Sequence, residues 1–417
     1  MTRDRGPGAH LMLVLTATMA VGPLLTHSLS AMSPLVIEDL ELTEAQFGLL
    51  ATTTFFVAAL AAVRAGRWAD RLTARTLLVV MFGGAALAML LTAAAPGYGV
   101  LLLAMVLSGL GQVMANPATN RLIRLHVPVA RRASWLGIKQ AGVQASQLVA
   151  GLTFPALGLL LGWRTAVLVV VGAVLILLVH AWWTVPDNLP GAPAGPSPRA
   201  ALRSRAALRS RAGLRPRRAR PAVRPPMPGV VRAYAAAAAL TGLGAQAANV
   251  YLPLYAHREL GFDVVAAGAT VSVSALVGIA SRVLWARVMD RPRADGFVLL
   301  AGMALGSAAS AVLLILAPLH PGLAWAVWPA AVLHGGAALA VSVVVMSGAM
   351  RAVPAERVGA STGVVTMGLY AGFCAGPLVL GGLLQLTGSF AVGWAVVLIC
   401  YLACGALAVL VRSRARR

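Results

Sequence analysis

The sequence predicts an all-α membrane protein in which twelve transmembrane helices form two pseudo-symmetric six-helix bundles, with both termini in the cytoplasm. Three observations lead to this prediction: the composition, the recurrence of long apolar segments, and the distribution of arginine among the loops. Of the 417 residues, 59% are hydrophobic and only 11% are charged, whereas a soluble domain is about half apolar and about a quarter charged. The composition is therefore typical of a membrane protein.

Apolar segments long enough to cross a bilayer recur along the whole chain, since about 20 apolar residues in a helix span the hydrocarbon core. The first segment follows a basic N-terminus, as a signal peptide would. It is longer than a signal core and many similar segments follow, so we expect an uncleaved first span. The predicted segments are 11–34, 46–63, 77–95, 99–123, 134–157, 163–184, 231–255, 264–283, 296–316, 322–349, 360–383 and 389–411.

Arginine sets the predicted orientation, because loops rich in Lys and Arg stay in the cytoplasm. With a cytoplasmic N-terminus, of the loop arginines only Arg164 and Arg258 fall outside the cell. The first outer loop carries acidic residues instead, namely Glu38, Asp39, Glu41 and Glu44. The net charge of +22 is therefore interpreted as cytoplasmic arginine in a cell-membrane protein. We predict no nucleic-acid partner, because the chain has no basic patch with interleaved aromatic residues and no zinc-finger or RNA-binding signature.

A long basic stretch separates the two predicted bundles, 1–185 and 230–417. This stretch, residues 186–229, is rich in Pro, Arg and Ala and has no apolar face, so we predict a disordered cytoplasmic linker. Ten arginines lie between Arg199 and Arg224, and each would contribute about 1 kcal/mol on an anionic lipid surface. The alternative is a linker that only fixes the topology, and its repetitive composition favours this alternative.

The second half of the chain repeats the first, which predicts an internal duplication. The matches are in order along the chain and fall at glycine, proline and charged positions. At an offset of about 220 residues the pairs are Pro34 with Pro253, Gly48 with Gly268, Arg67 with Arg287, Asp70 with Asp290 and Arg71 with Arg291. At an offset of about 226 they are Pro128 with Pro354, Arg131 with Arg357, Gly137 with Gly363, Gly142 with Gly368 and Gly162 with Gly388.

These features resemble the major facilitator superfamily, whose members have two six-helix halves and a long central cytoplasmic loop. The stretch GRWADRLTAR, 66–75, is similar to that family's motif Gly-x-x-x-Asp-Arg-x-Gly-Arg-Arg between the second and third helices. Gly66, Asp70, Arg71 and Arg75 match the motif, while its distal part is degraded. The stretches 116–123 and 137–147 resemble a prokaryotic branch with cyanate- and nitrate-transporter-like members. The resemblance covers 10–412 apart from the linker, and it implies alternating access around a site near the membrane mid-plane.

The charged motif is also predicted to act as a gate. A carboxylate and arginines at a cytoplasmic helix end can pair with a facing helix in one conformation, and the pair must break in the other. The alternative is an ordinary positively charged loop, but the duplicated Arg-x-x-Asp-Arg favours the gate. The predicted gating residues are Gly66, Arg67, Asp70, Arg71, Arg75, Arg287, Asp290 and Arg291.

Polar residues inside the spans are the candidate substrate ligands, because they are costly in lipid unless they serve a function. Amides recur at helical spacing in the fourth and fifth segments, which predicts two stripes that line a cavity. His27 and Ser30 in the first segment match Gln246 and Asn249 in the seventh. For Lys139, His334 and Tyr370, snorkelling or interhelical packing is an equal alternative. The candidates are His27, Ser30, Gln112, Asn116, Asn120, Lys139, Gln140, Gln144, Gln147, Gln246, Asn249, His334 and Tyr370.

The charge inventory narrows the expected solute. None of the twelve acidic residues lies in the middle of a predicted span, although a carrier of cations would need one there. Cationic groups lie toward the inner ends of the spans, namely Lys139, Arg121, Arg124 and Arg282. This distribution favours an anionic or neutral polar solute. If protons are coupled to transport, His27 or His334 is the expected carrier, because imidazole titrates near neutral pH.

The resulting expectation is a monomeric secondary transporter of a small anionic or polar organic solute. Two alternatives stay open: an efflux pump for apolar compounds, and a membrane sensor or scaffold that does not transport. An enzyme is not expected, because the chain has no nucleotide-binding loop, no HExxH motif and no carboxylate pair within the membrane. No cofactor or metal site is predicted, since Cys374, Cys400 and Cys404 lie in apolar segments without metal-ligand spacing.

Overall fold

A computed structural model describes residues 8–185, 227–291, 294–354 and 357–416. Nearly all of the predicted linker, up to residue 226, lies outside the described residues. The described chain is helical, as the sequence predicts. The helices are α1 Ala9–Ala31, α2 Ser33–Asp39, α3 Glu44–Arg71, α4 Ala74–Ala93, α5 Tyr98–His126, α6 Val129–Leu161, α7 Trp163–Thr184, α8 Gly229–Arg258, α9 Val264–Met289, α10 Gly296–Leu316, α11 Val327–Gly336, α12 Val341–Arg351, α13 Val358–Thr387 and α14 Phe390–Arg416.

Short polar residues and glycine determine where several of these helices begin and end. Thr43 precedes α3 and forms a capping box with Gln46, in which each side chain accepts a hydrogen bond from the other residue's backbone N–H. Asp263 caps α9 by accepting from the N–H of Ala266 at 2.8 Å. Gly162 separates α6 from α7 with a φ of 79°, a value that favours glycine.

Most of the predicted segments form helices that can cross a membrane. The described residues contain 11 helical segments that are long and apolar enough to do so. The seventh predicted segment, 231–255, forms the 30-residue helix α8 but is not among them. Alanine fills much of this helix, which also carries Arg232, Gln246 and Asn249, and these residues lower its hydropathy. That α8 also spans the membrane stays a prediction.

Two predicted segments are interrupted. The first, 11–34, divides at Met32 into α1 and α2, where Pro34 occupies the first turn of the new helix. The tenth, 322–349, contains α11, a short 3₁₀ turn at Ala338–Ala340, and α12. At this break the carbonyls of Gly335 and Gly336 accept hydrogen bonds from Ser281 Oγ (2.9 Å) and Trp285 Nε1 (2.8 Å). These side chains satisfy backbone groups that the broken helix cannot.

The helices alternate in direction, so the loops fall at two ends of the molecule. We call the end that carries loops 40–43 and 259–263 the acidic end, and the opposite end, next to Arg71 and Arg291, the arginine-rich end. The helices of residues 8–185 pack mainly among themselves, as α1 with α6 and α3 with α5. Those of residues 227–416 do the same, as α8 with α13 and α10 with α14.

Two helix pairs, α3 with α13 and α6 with α9, provide the main contacts between these two sets. Thr52 Oγ1 donates to the carbonyl of Cys374 at 2.9 Å, and Ser272 Oγ donates to the carbonyl of Leu148 at 3.0 Å. Nearer the acidic end, a Cβ on Gly48 would lie 2.4 Å from the carbonyl oxygen of Pro377, and one on Gly381 2.8 Å from that of Glu44. These contacts between α3 and α13 all lie in the half of the molecule nearer the acidic end.

Candidate functional site

Asn249, on α8, is the hub of a buried hydrogen-bond network that joins three helices. Its Oδ1 accepts from Gln147 Nε2 of α6 at 3.0 Å and from His334 Nε2 of α11 at 3.3 Å. Its Nδ2 donates to Gln246 Oε1 at 3.3 Å. We call these four residues the central polar cluster. Gln147 and His334 lie 102 and 85 positions from Asn249 along the chain, so only the tertiary fold brings them to it.

Helix α1 contributes His27 and Ser30, of which Ser30 contacts the backbone of the central polar cluster. Ser30 Oγ donates to the backbone carbonyls of Asn249 (2.6 Å) and Val250 (2.9 Å). His27 Nδ1 lies 3.0 Å from Ser146 Oγ, and Ser146 itself donates to the carbonyl of Val143. The imidazole of His27 therefore donates to Ser146.

Lys139 forms a second polar group, which we call the lysine cluster. Its Nζ donates to Asn116 Oδ1 (3.2 Å), Thr119 Oγ1 (2.7 Å) and Asn120 Oδ1 (2.7 Å), all on α5. Lys139 is only 1% exposed, so its side chain does not snorkel to the surface. Its hydrogen-bond partners are all neutral, which leaves the positive charge without a carboxylate.

Several predicted amides are buried without a protein partner. Within the described residues no hydrogen bond reaches Gln246 Nε2 or the Oε1 atoms of Gln112, Gln140 and Gln144. Gln144 faces α9, since a Cβ placed on Gly278 would lie 3.5 Å from Gln144 Cγ. A buried polar group without a partner costs about 1–3 kcal/mol. These oxygens are therefore available to a polar solute that enters between the helices.

Tyr370 lies apart from both clusters. Its ring packs against Phe373 and Phe55, with centroids 6.1 Å and 6.5 Å away, at the contact between α3 and α13. Within the described part of the chain no hydrogen bond joins its hydroxyl to the polar residues. The geometry therefore favours the packing alternative for this residue.

The predicted gating residues lie at the arginine-rich end. Gly66, Arg67 and Asp70 belong to α3, and their side chains lie outside the described part of the structure. Arg71 is exposed at the end of the same helix. The second copy of the motif ends α9, where Arg287, Asp290 and Arg291 are exposed.

Arginine side chains also bind backbone carbonyls at the arginine-rich end, including those at the ends of α3 and α9. Arg75 Nε donates to the carbonyl of Val185 at 2.7 Å, and its guanidinium lies 5.3 Å from the ring centroid of Trp182. Arg121 donates to the carbonyl of Leu72 just after α3. In the same way Arg351, at the end of α12, donates to the carbonyl of Met289 at the end of α9. The two ends of the duplicated motif are thus held by equivalent contacts.

Two residues that contact the site were not among those predicted from the sequence. Thr119 binds Lys139, and Ser146 binds His27. Thr119 lies three positions after Asn116, on the predicted amide stripe, so the helical spacing could have included it. Ser146 carries no comparable signal, because a serine in an apolar helix usually bonds only its own backbone.

The sequence matches the model of a known protein family. The model of the major facilitator superfamily matches residues 11–377, which is most of the chain. The chain belongs to the major facilitator superfamily. It is therefore a multi-pass membrane transporter that works by alternating access on a small-molecule substrate. No curated protein matches the sequence.

Solved structures of superfamily transporters share this fold. A bacterial homologue of the human lysosomal transporter Spinster, in an inward-facing and unoccupied conformation, has a TM-score of 0.69 at 18% identity, and the match covers 98% of this chain and 96% of that one. The nucleoside transporter NupG has a TM-score of 0.72 at 13% identity, with 97% and 98% of the two chains covered. At these identities the two solved structures show the fold of the present chain and say nothing of its substrate.

Proposed function

We propose that this transporter carries a small anionic or polar organic solute across the cytoplasmic membrane. The main support for this proposal is the composition of the buried polar site. It combines amides, two imidazoles and the Lys139 ammonium, and a site without a carboxylate selects against cations. The amides of Gln112, Gln140 and Gln144 have unpartnered oxygens, which could accept hydrogen bonds from hydroxyl or amino groups of the solute.

The proposed orientation places the arginine-rich end and both termini in the cytoplasm, with twelve spans that include α8. The contacts between the two helix sets at the acidic end then support an inward-facing state. In this scheme the duplicated Arg-x-x-Asp-Arg motif closes the cytoplasmic end in the other state. The arginine linker is proposed to be cytoplasmic as well, where anionic lipid is the alternative to a linker that only fixes the topology, and the proposed functional unit is a monomer.

The contact between α3 and α8 at the acidic end yields the first prediction. Arg258 pairs with Glu44, and Tyr251 Oη donates to the Glu44 carbonyl at 2.6 Å. Combining Glu44→Gln with Tyr251→Phe should weaken the closed acidic end by about 1–2 kcal/mol, a shift of about 5–30-fold in the population. The measurement is labelling of an Ala51→Cys reporter by an impermeant maleimide from the acidic side, with the native cysteines replaced by alanine.

Arg164→Gln is the matched control, because it breaks an ion pair with Asp39 that lies within the N-terminal set of helices. This variant should leave the labelling rate unchanged. Equal labelling rates in the wild type and the double variant would contradict the role of the α3–α8 contact.

The second prediction tests the solute site itself. Asn116→Ala removes one partner of Lys139, and Gln144→Ala removes one unpartnered acceptor. Both variants should lose solute flux in proteoliposomes by at least about tenfold, since one lost contact to a charged or buried group is worth about 1.4 kcal/mol or more. Expression and folding should persist. Wild-type flux in both variants would remove these residues from the site.

The same flux assay separates the alternative functions. The aromatic group formed by Phe55, Tyr370 and Phe373 is the feature that favours efflux of an apolar compound. In that case flux of an apolar dye would survive both amide substitutions. A sensor or scaffold would bind a stabilising ligand and show no flux of it. If transport is coupled to protons, replacing His27 or His334 should remove the coupling while exchange of the solute continues.

A further inference from the structure

Arg282 occupies a position on α9 that faces the helices of the polar site. It lies one helical turn after Gly278, and a Cβ on Gly278 would lie within 3.5 Å of both Gln144 and Leu339. Residues four apart share a helix face, so Arg282 continues this face toward the arginine-rich end. Leu284, on the opposite face, is 56% exposed, as expected for a side chain that faces lipid.

Arg282 is half-buried, and the unpartnered part of its guanidinium among the described residues is Nε. Its Nε is buried without a hydrogen-bond acceptor. The neighbouring donors Ser281 and Trp285 bind the carbonyls exposed at the break between α11 and α12, so those acceptors are occupied. The nearest acid along the helix, Asp290, is exposed at its end, about 12 Å away at 1.5 Å per residue.

The contact between Gln144 and Gly278 sets a register of α6 against α9 that, continued by one turn, pairs Gln140 with Arg282. Helices α6 and α9 run antiparallel, so one turn from Gln144 toward the arginine-rich end leads to Gln140, as one turn from Gly278 leads to Arg282. Gln140 Oε1 is also buried without a partner. Lys139, the residue before Gln140, is buried but points toward α5, where its Nζ binds Asn116, Thr119 and Asn120. By this register the two cations and the unpartnered amide oxygens are at one level, without a carboxylate among the described residues there.

A partly buried charge whose Nε has no acceptor destabilises the protein that contains it. Such a group is retained when a ligand supplies the missing charge, and the planar guanidinium matches the two oxygens of a carboxylate or phosphate. We propose that Arg282 binds an oxyanion on the transported solute, with Gln140 and Gln144 accepting hydrogen bonds from hydroxyl or amino groups of the same molecule. This inference rests on the proposed function and narrows its solute to an organic acid.

The test compares thermal unfolding of the purified full-length wild type with Arg282→Met and Arg282→Lys. Without solute, Arg282→Met should unfold at the same or a higher temperature than the wild type, because it removes an uncompensated charge. The matched control is Arg232→Met on α8, which changes an exposed arginine and should shift nothing. The probes are lactate, malate, glutamate and phosphate at constant ionic strength, with glucose and uridine as neutral solutes.

At least one oxyanion should raise the unfolding temperature of the wild type. Arg282→Met should lose this shift, Arg282→Lys should keep part of it, and Arg232→Met should keep all of it. A solute-free Arg282→Met protein that is less stable than the wild type would show a structural role and overturn the inference. Failure of every oxyanion to stabilise the wild type would overturn it too. If Arg282→Met still transports glucose or uridine, the inference of an organic-acid solute is wrong. The proposed function, transport of a polar solute, would still hold.

Discussion

Replacing Asn249 by alanine is expected to reduce solute flux by at least about tenfold. The side chain accepts hydrogen bonds from Gln147 and His334, so its removal leaves two buried donors unpaired. Each lost partner costs about 1–3 kcal/mol, and the two donors lose the geometry that presents them to a solute. The measurements are flux in proteoliposomes and the unfolding temperature of the purified variant, which should fall.

Thr241→Ala is the matched control on the same helix. The buried hydroxyl of Thr241 donates to the carbonyl of Ala237 within α8, so its loss changes no described hydrogen bond between helices. Flux should stay near the wild-type value. If Asn249→Ala also transports at the wild-type rate, the central polar cluster is a structural tie and not the solute site.

Gly151→Ala is expected to disrupt the closed state at the acidic end. A Cβ on Gly151 would lie 2.4 Å from the carbonyl oxygen of Gly268 and 2.3 Å from Ser272 Oγ, so α6 and α9 must move apart. Overpacking of this kind costs about 1–3 kcal/mol, which corresponds to a shift of about 5–150-fold between two states. The Ala51→Cys reporter should be labelled faster from the acidic side, and flux should fall.

Gly302→Ala provides the comparison for this substitution. Gly302 also lies inside a helix, α10, but a Cβ there would meet nothing within 4 Å. The variant should transport normally and be as stable as the wild type or more so. Unchanged labelling in Gly151→Ala would show that α6 and α9 do not hold the acidic end closed.

Much of the fold could be predicted from the sequence, because the length and hydropathy of a segment identify it as a membrane helix. The predicted segments coincide with helices throughout the described chain. The break between α11 and α12 was not predicted. Adjacent glycines such as Gly335 and Gly336 are also found in unbroken membrane helices, so they do not by themselves indicate a break. It depends on Ser281 and Trp285, which lie on another helix and bind the carbonyls released there.

The candidate site was predicted in part. Helical spacing alone groups Asn116 with Asn120 on α5, and both bind Lys139. That the stripes on α5 and α6 line a solute cavity stays a prediction. Which polar residue meets which could not be predicted. Lys139 was equally compatible with the surface, yet it is buried among the residues of α5. Tyr370 was grouped with the solute ligands, yet it packs with aromatic rings.

The sequence by itself determined the membrane class, the helical segments, the duplicated loop motif and the resemblance to the superfamily. These features are local or repeated, and hydropathy and charge encode them directly. Only the tertiary structure decided that Asn249 joins Gln147 to His334, and that Arg282 Nε has no acceptor among the described residues. The reason is physical: lipid and protein interior are both apolar. A hydrophobic helix therefore does not reveal from its sequence which face meets its neighbours.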